Sequence, residues 1–238
     1  MARPASAEPA AGAEGAWRYE RKFLVREVDP RLVEHAVRIH PAHFREIYHQ
    51  RWINNIYFDS APLQLLRDAV QGHGERLKAR IRWYGDLFGR VARPVLELKR
   101  KHALVGTKDN YPLPAFEFDR AGALPPLGAW FGDLAWPMEL TGTLAGLRPA
   151  LINRYSRRYF ATPDGRFRLT IDRDIQYLSP APGRLPARPH PRDGLTTVVE
   201  LKYAAQDELE ADRVTHRFPF LVTKNSKYVN GMMRVGRR

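Results

Sequence analysis

Leu77-Lys78-Ala79-Arg80-Ile81-Arg82-Trp83 alternates apolar and cationic side chains in strict period two. This is the period of a β-strand, so Lys78, Arg80 and Arg82 share one face and the apolar residues take the other. The alternation recurs in Arg18-Tyr19-Glu20-Arg21-Lys22-Phe23, Val95-Leu96-Glu97-Leu98-Lys99, Arg166-Phe167-Arg168-Leu169-Thr170-Ile171-Asp172 and Val198-Val199-Glu200-Leu201-Lys202. Any one such strand reads as the solvated face of an antiparallel sheet. Together they do not, because a solvated face mixes in Thr, Ser and Gln. Like charges two residues apart repel unless an anion sits among them. The sheet needs an anionic partner.

Composition narrows the partner. The chain has 238 residues, a net charge of +13 and a pI near 10.2, which favours nucleic acid, anionic membrane or phosphate-rich ligands. With no cysteine, disulfides, thiolate metal sites and thiol nucleophiles are excluded. No apolar run approaches the ~20 residues of a membrane span. The Ala/Pro/Gly/Glu-rich stretch 1–16 lacks a signal peptide's apolar core. The expectation is a cytoplasmic protein with a disordered tail over 1–16 and a single domain over 17–238.

Several elements follow from local signals. Asp29-Pro30 caps a helix whose apolar stripe is Leu32, Val33, Ala36, Val37 and Ile39. Strands are expected at 18–27, 51–59, 78–84, 94–101, 151–160, 166–177 and 196–203. Short helices are expected at 63–70, 209–218 and from about Asn225. The Pro-, Gly- and Trp-rich stretch 112–149 reads as short helices packed on the sheet. Residues 179–194, with five prolines and two glycines, read as a surface loop.

Parity separates aromatics from cations. Base recognition wants aromatics interleaved on the basic face, but Tyr19, Phe23, Trp83 and Phe167 fall on the opposite one. The pattern therefore favours phosphate without bases, and no nucleic acid. Glu20, Glu97 and Glu200 share faces with Lys22, Lys99 and Lys202. They serve either as oxygen ligands for Mg²⁺ or Mn²⁺ between protein and phosphate or as cross-strand partners of the lysines. Metal ligation is favoured for Glu200, and both roles stay open for Glu20 and Glu97. The histidines lack zincin spacing with a Glu base, and the glycines make no phosphate-binding loop. Ser60, Ser156 and Ser226 sit in no nucleophile-elbow context. Asp172 and Asp174, flanking Arg173, read as caps at a strand end rather than metal ligands.

The series Arg18-x-Glu20-x-Lys22-Phe23, Ile56-Tyr57-Phe58-Asp59, Lys78-x-Arg80-x-Arg82-Trp83-Tyr84-Gly85, Glu97-Leu98-Lys99, Tyr155-Ser156-Arg157, Arg166-x-Arg168-Leu169-Thr170-Ile171-Asp172, Val199-Glu200-Leu201-Lys202 and Lys224-Asn225-Ser226-Lys227-Tyr228 resembles the VTC polyphosphate polymerase domain. That domain belongs to the triphosphate tunnel metalloenzymes of the CYTH-like superfamily. The resemblance spans roughly Trp17 to Met233. It implies an α+β fold, an eight-stranded antiparallel β-barrel with flanking helices, whose charged interior is a tunnel. By the same resemblance Arg80, Arg82, Lys99, Arg157, Arg168 and Glu200 are catalytic. Lys22, Lys78, Lys108, Tyr155, Lys202, Lys224, Ser226 and Lys227 join the cations in binding phosphate, and Glu200 with Glu20 holds Mn²⁺ or Mg²⁺. A one-residue slip would exchange Arg157 with Arg158.

The implied activity is transfer of the γ-phosphoryl group of ATP, or another nucleoside triphosphate, to a growing polyphosphate chain. Hydrolytic members of the superfamily carry Glu-x-Glu-x-Lys on the first strand, and here Arg18 replaces the first Glu. That departure speaks against the first alternative, an inorganic tripolyphosphatase. A second alternative is a non-catalytic module that binds polyphosphate, pyrophosphate or nucleotide.

Overall fold

The alternating segments form strands, and eight strands make one sheet in the order β1 (Arg18–Val25), β10 (Thr197–Ala204), β9 (Arg168–Leu178), β8 (Arg148–Ala161), β2 (Arg45–Asp59), β3 (Glu75–Tyr84), β5 (Val95–His102) and β6 (Val105–Pro112). The computed structural model describes residues 18–102, 105–119, 127, 138–180 and 196–236. β1 pairs antiparallel with β10 and β10 with β9, as do β2 with β3, β3 with β5 and β5 with β6. Two short strands, β4 (Gly89–Val91) and β7 (Phe116–Phe118), pair separately. The helices are α1 (Pro30–Arg38), α2 (Gln64–Gln71), α3 (Met138–Ala145), α4 (Glu208–His216) and α5 (Lys227–Val235). The expected α+β class and eight-stranded antiparallel sheet with flanking helices are both present.

The differences are local. β6 escaped the sequence reading because Val-Gly-Thr-Lys-Asp-Asn-Tyr-Pro has no apolar alternation; backbone pairing along β5 makes it a strand. β2 begins at Arg45, not Arg51, because its first residues are mostly polar and exposed. β9 begins at Arg168, leaving Arg166 outside the strand to pair with Asp207 at 2.5 Å. The tail over 1–16, the loop 181–194 and most of 120–137 lie outside the described residues.

The chain divides into two compact units. The first comprises Met1–Gln50, Arg157–Arg173 and Leu195–Lys224, and the second Arg51–Ser156, Asp174–Gly194 and Asn225–Arg238. In the first unit the apolar strand face, with Phe23, Leu169, Ile171, Val199 and Leu201, packs with Val33 and Val37 of α1 and Ala211 and Val214 of α4. In the second, Ile56, Phe58, Ala79, Ile81, Trp83, Leu96 and Leu98 form a core with Leu144 of α3. Strand parity thus commits the apolar residues to the helix-covered side and sets the charged residues on the other. Arg21, on the apolar side, is held there by Tyr203, Asp212, Glu208 and Thr215. The cap of α1 is as expected: Asp29 accepts the Arg31 N–H at 2.8 Å, with Pro30 opening the helix.

His40, after α1, is 3% exposed. Its Nδ1 accepts the Ala42 N–H at 3.0 Å and its Nε2–H donates to the Val214 carbonyl at 3.0 Å, so the ring is neutral. Burial pushes its pKa below the ordinary value. The unfolded chain therefore takes up a proton that the folded protein refuses. The His40 contribution to stability is complete above about pH 6.5 and is lost as pH falls below it. The urea midpoint is expected to drop as pH falls below about 6.5, and His40→Gln to flatten that limb; an unchanged slope in the variant rules the assignment out.

Candidate functional site

In the second unit, strand register sets the cations. Lys78 lies opposite Lys99, and Lys99 opposite Lys108, so three lysines stand abreast on β3, β5 and β6. Lysines directly opposite one another repel. Arg80 lies opposite Glu97, which is 5% exposed. Glu97 Oε2 accepts from Arg80 Nε at 2.7 Å and lies 2.6 Å from its Nη2. Its Oε1 accepts from Lys108 Nζ at 2.7 Å and lies 3.4 Å from Arg82 Nη1. Burial alone would raise the Glu97 pKa, but Arg80, Arg82 and Lys108 hold it well below the usual carboxylate range.

Neutral donors and acceptors orient the same arginines. Arg82 donates to Asn55 Oδ1 at 3.0 Å and to the Tyr155 hydroxyl at 3.3 Å. Arg80 donates to the Tyr57 hydroxyl at 3.1 Å. Asn55 is itself tied to Asn153 at 2.8 Å. The first turn of α5 faces this group. The Ser226 hydroxyl accepts from Lys78 Nζ at 3.2 Å and caps the helix at Val229 N. The Lys227 ammonium stands 4.7 Å over the Tyr155 ring. Tyr228 donates to Asp59 at 2.5 Å and stacks on Tyr57 at 5.1 Å. Asp59, 1% exposed, also accepts the N–H groups of Ser60, Leu65 and Leu66. Gly231 lets α5 approach closely, since a Cβ there would collide with Leu151 and Tyr177. Helix and strands therefore present Lys78, Arg80, Arg82, Lys99, Lys108 and Lys227, with Glu97 as the carboxylate shared by Arg80, Arg82 and Lys108.

The first unit is differently balanced. Glu20 pairs with Lys202 and Lys22 with Glu200 across β1 and β10, and Lys202 lies opposite Arg168 on β9. Lys22 Nζ is 2.6 Å from Glu20 and 3.9 Å from Glu200. Lys202 Nζ is 3.9 Å, and Arg157 Nη2 3.4 Å, from Glu200 Oε2. Arg157 also donates to both oxygens of Asp172, from Nε at 2.5 Å and Nη2 at 2.7 Å. The carboxylates here nearly match the cations. Arg158 turns the other way, to Glu34 and Glu46, so Arg157 is the arginine on the Glu200 side. Lys224 is exposed and follows Thr223, whose N–H donates to the Lys22 carbonyl at 2.7 Å and whose hydroxyl accepts from Leu24 N.

One expectation is corrected. Asp172 does not cap a strand end: it lies within β9, 0% exposed, in the grip of Arg157. Asp174, at φ 55°, is likewise inside β9. Glu97, whose role was open, is the hub of the second unit. Asn55 and Tyr57 were missed, although the polar pair Asn54-Asn55 inside an apolar strand is a signal. Asn54 instead donates to the Gly85 and Asp86 carbonyls of the next turn.

Among the described residues no cluster of three or more His, Asp or Glu could cage a metal alone. Mg²⁺ or Mn²⁺ needs no such cage when phosphate oxygens complete its shell. Glu20 and Glu200, both beside Lys22, are hard oxygen donors on adjacent strands, and they fit that mode.

The VTC domain family matches residues 17–235. No curated protein matches. Among solved structures, one similar to this chain is described as a putative adenylyl cyclase from Hippeastrum with a dominant triphosphatase activity; it is 14% identical, with 92% of this chain and 97% of that chain covered and a TM-score of 0.50. A putative adenylate cyclase from Vibrio parahaemolyticus is 13% identical, with 91% and 99% covered and a TM-score of 0.49. The PH1819 protein from Pyrococcus horikoshii is 12% identical, with 92% and 100% covered and a TM-score of 0.49. The Hippeastrum protein shares the fold.

Glu97→Gln leaves Arg80, Arg82 and Lys108 without their common carboxylate. The expected loss at pH 7 is about 3 kcal/mol, the low end for breaking a buried pair, because Lys108 is partly solvated. Glu97 is depressed in the folded state, so its contribution holds above about pH 4.3 and fades as pH falls through the folded value. Urea denaturation should show wild type and variant converging in acid; a constant gap would refute the assignment.

Proposed function

The chain belongs to the VTC domain family, and we propose that within it the protein is a metal-dependent polyphosphate polymerase, moving the γ-phosphoryl group of ATP to the end of a polyphosphate chain. The observation that carries this reading is the row Lys78, Lys99 and Lys108 beside Arg80 and Arg82. Charges so arranged are relieved by a ligand that carries an anion at each phosphorus and asks for no base recognition. Arg80 and Arg82 present guanidinium forks suited to phosphate, and the lysines present point charges. In the second unit Tyr155, Ser226 and Lys227 are assigned to phosphate binding as well, and in the first unit Lys22, Arg157, Arg168, Lys202 and Lys224 are.

Phosphoryl transfer asks for in-line positioning and neutralisation of the equatorial oxygens, with little proton chemistry. The attacking group would be a terminal phosphate oxygen, already ionised, so no general base is needed. Glu200 and Glu20 would hold the divalent cation, which supplies charge neutralisation at phosphate oxygens when bound. Arg18 stands where the hydrolytic relatives carry a second glutamate, which favours transfer to phosphate over transfer to water. No described helix is long and apolar enough to cross a membrane. The reading includes a cytoplasmic setting, with ATP as donor and polyphosphate as acceptor.

Purified protein incubated with ATP and Mn²⁺ or Mg²⁺ should yield long polyphosphate on a gel. Free phosphate alone would replace this reading by a tripolyphosphatase, and no product would leave a binding module. Arg80→Ala and Lys99→Ala are expected to weaken tripolyphosphate binding by about 100-fold, or ~2.7 kcal/mol, in calorimetry. Lys99 is exposed, so its loss tests binding with little effect on folding. Glu200→Ala should keep binding and lose metal-dependent turnover; full turnover in that variant would sink the metal assignment.

A further inference from the structure

Asp172 is a carboxylate that phosphate binding does not explain. It is 0% exposed and stands among cations proposed to attract an anion, where its charge works against them. Burying a carboxylate costs several kcal/mol unless it is paired, and an apolar pair of similar volume is often no less stable. Its partner is also singular. Both Asp172 oxygens take the Nε and Nη2 of Arg157, at 2.5 and 2.7 Å, and the same Nη2 reaches Glu200 Oε2 at 3.4 Å. One guanidinium is therefore shared between two carboxylates, closely with one and loosely with the other.

We infer that Asp172 is a positioning residue that holds the Arg157 fork off Glu200, keeping Glu200 able to exchange its cationic neighbours for a divalent metal ion. This rests on the proposed role of Glu200 as metal ligand. The physical basis is competition for one bidentate donor. A guanidinium fork prefers two parallel bonds to one carboxylate. With Asp172 in place, Arg157 makes them to Asp172 and leaves a single 3.4 Å contact to Glu200. Without it the fork would close on Glu200, taking both oxygens and cancelling the charge that draws the metal.

Glu97 shows the opposite arrangement in the other unit. There Arg80 has no second carboxylate contesting it among the described contacts, and it closes on Glu97 at 2.6 and 2.7 Å. Glu97 is accordingly a counter-ion closed on by Arg80, while Glu200 meets the Arg157 guanidinium at 3.4 Å.

The test is Mn²⁺ binding to the full-length protein without nucleotide, read by electron paramagnetic resonance of the free ion. Wild type should bind Mn²⁺, Glu200→Ala should not, and Asp172→Asn should bind at least tenfold more weakly. The double variant Asp172→Asn/Arg157→Met should recover affinity to within threefold of wild type, because no fork remains to close on Glu200. A merely structural Asp172 would show no such rescue. The double variant removes both buried charges, so it remains informative if Asp172→Asn fails to fold. Unchanged Mn²⁺ affinity in Asp172→Asn, or no binding by the double variant, overturns the inference alone. A wild type that binds tripolyphosphate but no Mn²⁺ overturns both the inference and the metal role of Glu200.

Discussion

Like charges set abreast on neighbouring strands repel, and this chain sets Lys78, Lys99 and Lys108 abreast on β3, β5 and β6. The surroundings are arranged around that repulsion. Glu97 sits one step along the ladder and draws in Arg80, Arg82 and Lys108. Tyr57, Asn55 and Tyr155 take the remaining arginine donors without adding charge. Ser226 accepts from Lys78, and the helix it caps is pinned by Tyr228 on Asp59. The result is a group of fixed cations with one strongly held carboxylate. Their positive charge is relieved in part from within and in part by whatever anion they receive.

The two units resolve the same problem differently. In the second, Lys78, Arg80, Arg82, Lys99 and Lys108 surround Glu97, which is locked at hydrogen-bonding distance. In the first, Glu20, Asp172 and Glu200 nearly offset Lys22, Arg157, Arg168 and Lys202, and Lys22, Arg157 and Lys202 meet Glu200 at 3.4 to 3.9 Å. A surplus of cations suits a polyanion. Carboxylates with longer contacts suit a hard divalent ion that also takes phosphate oxygens.

Much of this was legible along the chain. Period two in 77–83, 95–99 and 198–202 determined the strands, and parity determined which side chains share a face, because alternate residues of any strand point to opposite sides. The cap and stripe of α1 were legible for the same reason: they depend on neighbours in sequence. The strand β6 was not, since a polar segment becomes a strand only when an adjacent backbone offers it hydrogen bonds. The choice between Arg157 and Arg158 was equally hidden, because both lie on β8 and only the positions of Glu34, Glu46, Asp172 and Glu200 distinguish their faces.

The roles of the carboxylates mark the boundary most clearly. Composition and alternation alone determined that Glu20, Glu97 and Glu200 stand among lysines and arginines, on a face that suits an anion rather than a base. They left open which cations each glutamate meets. Asp172 was misread as a strand-end cap; it lies inside β9 with both oxygens held by Arg157. Register decided these matters, by bringing residues far apart in sequence within 4 Å. Charge–charge energy falls with distance and rises with burial, and neither quantity exists until the strands have paired. The sequence by itself determined which charges face the same way; only the tertiary structure decided which of them hold one another.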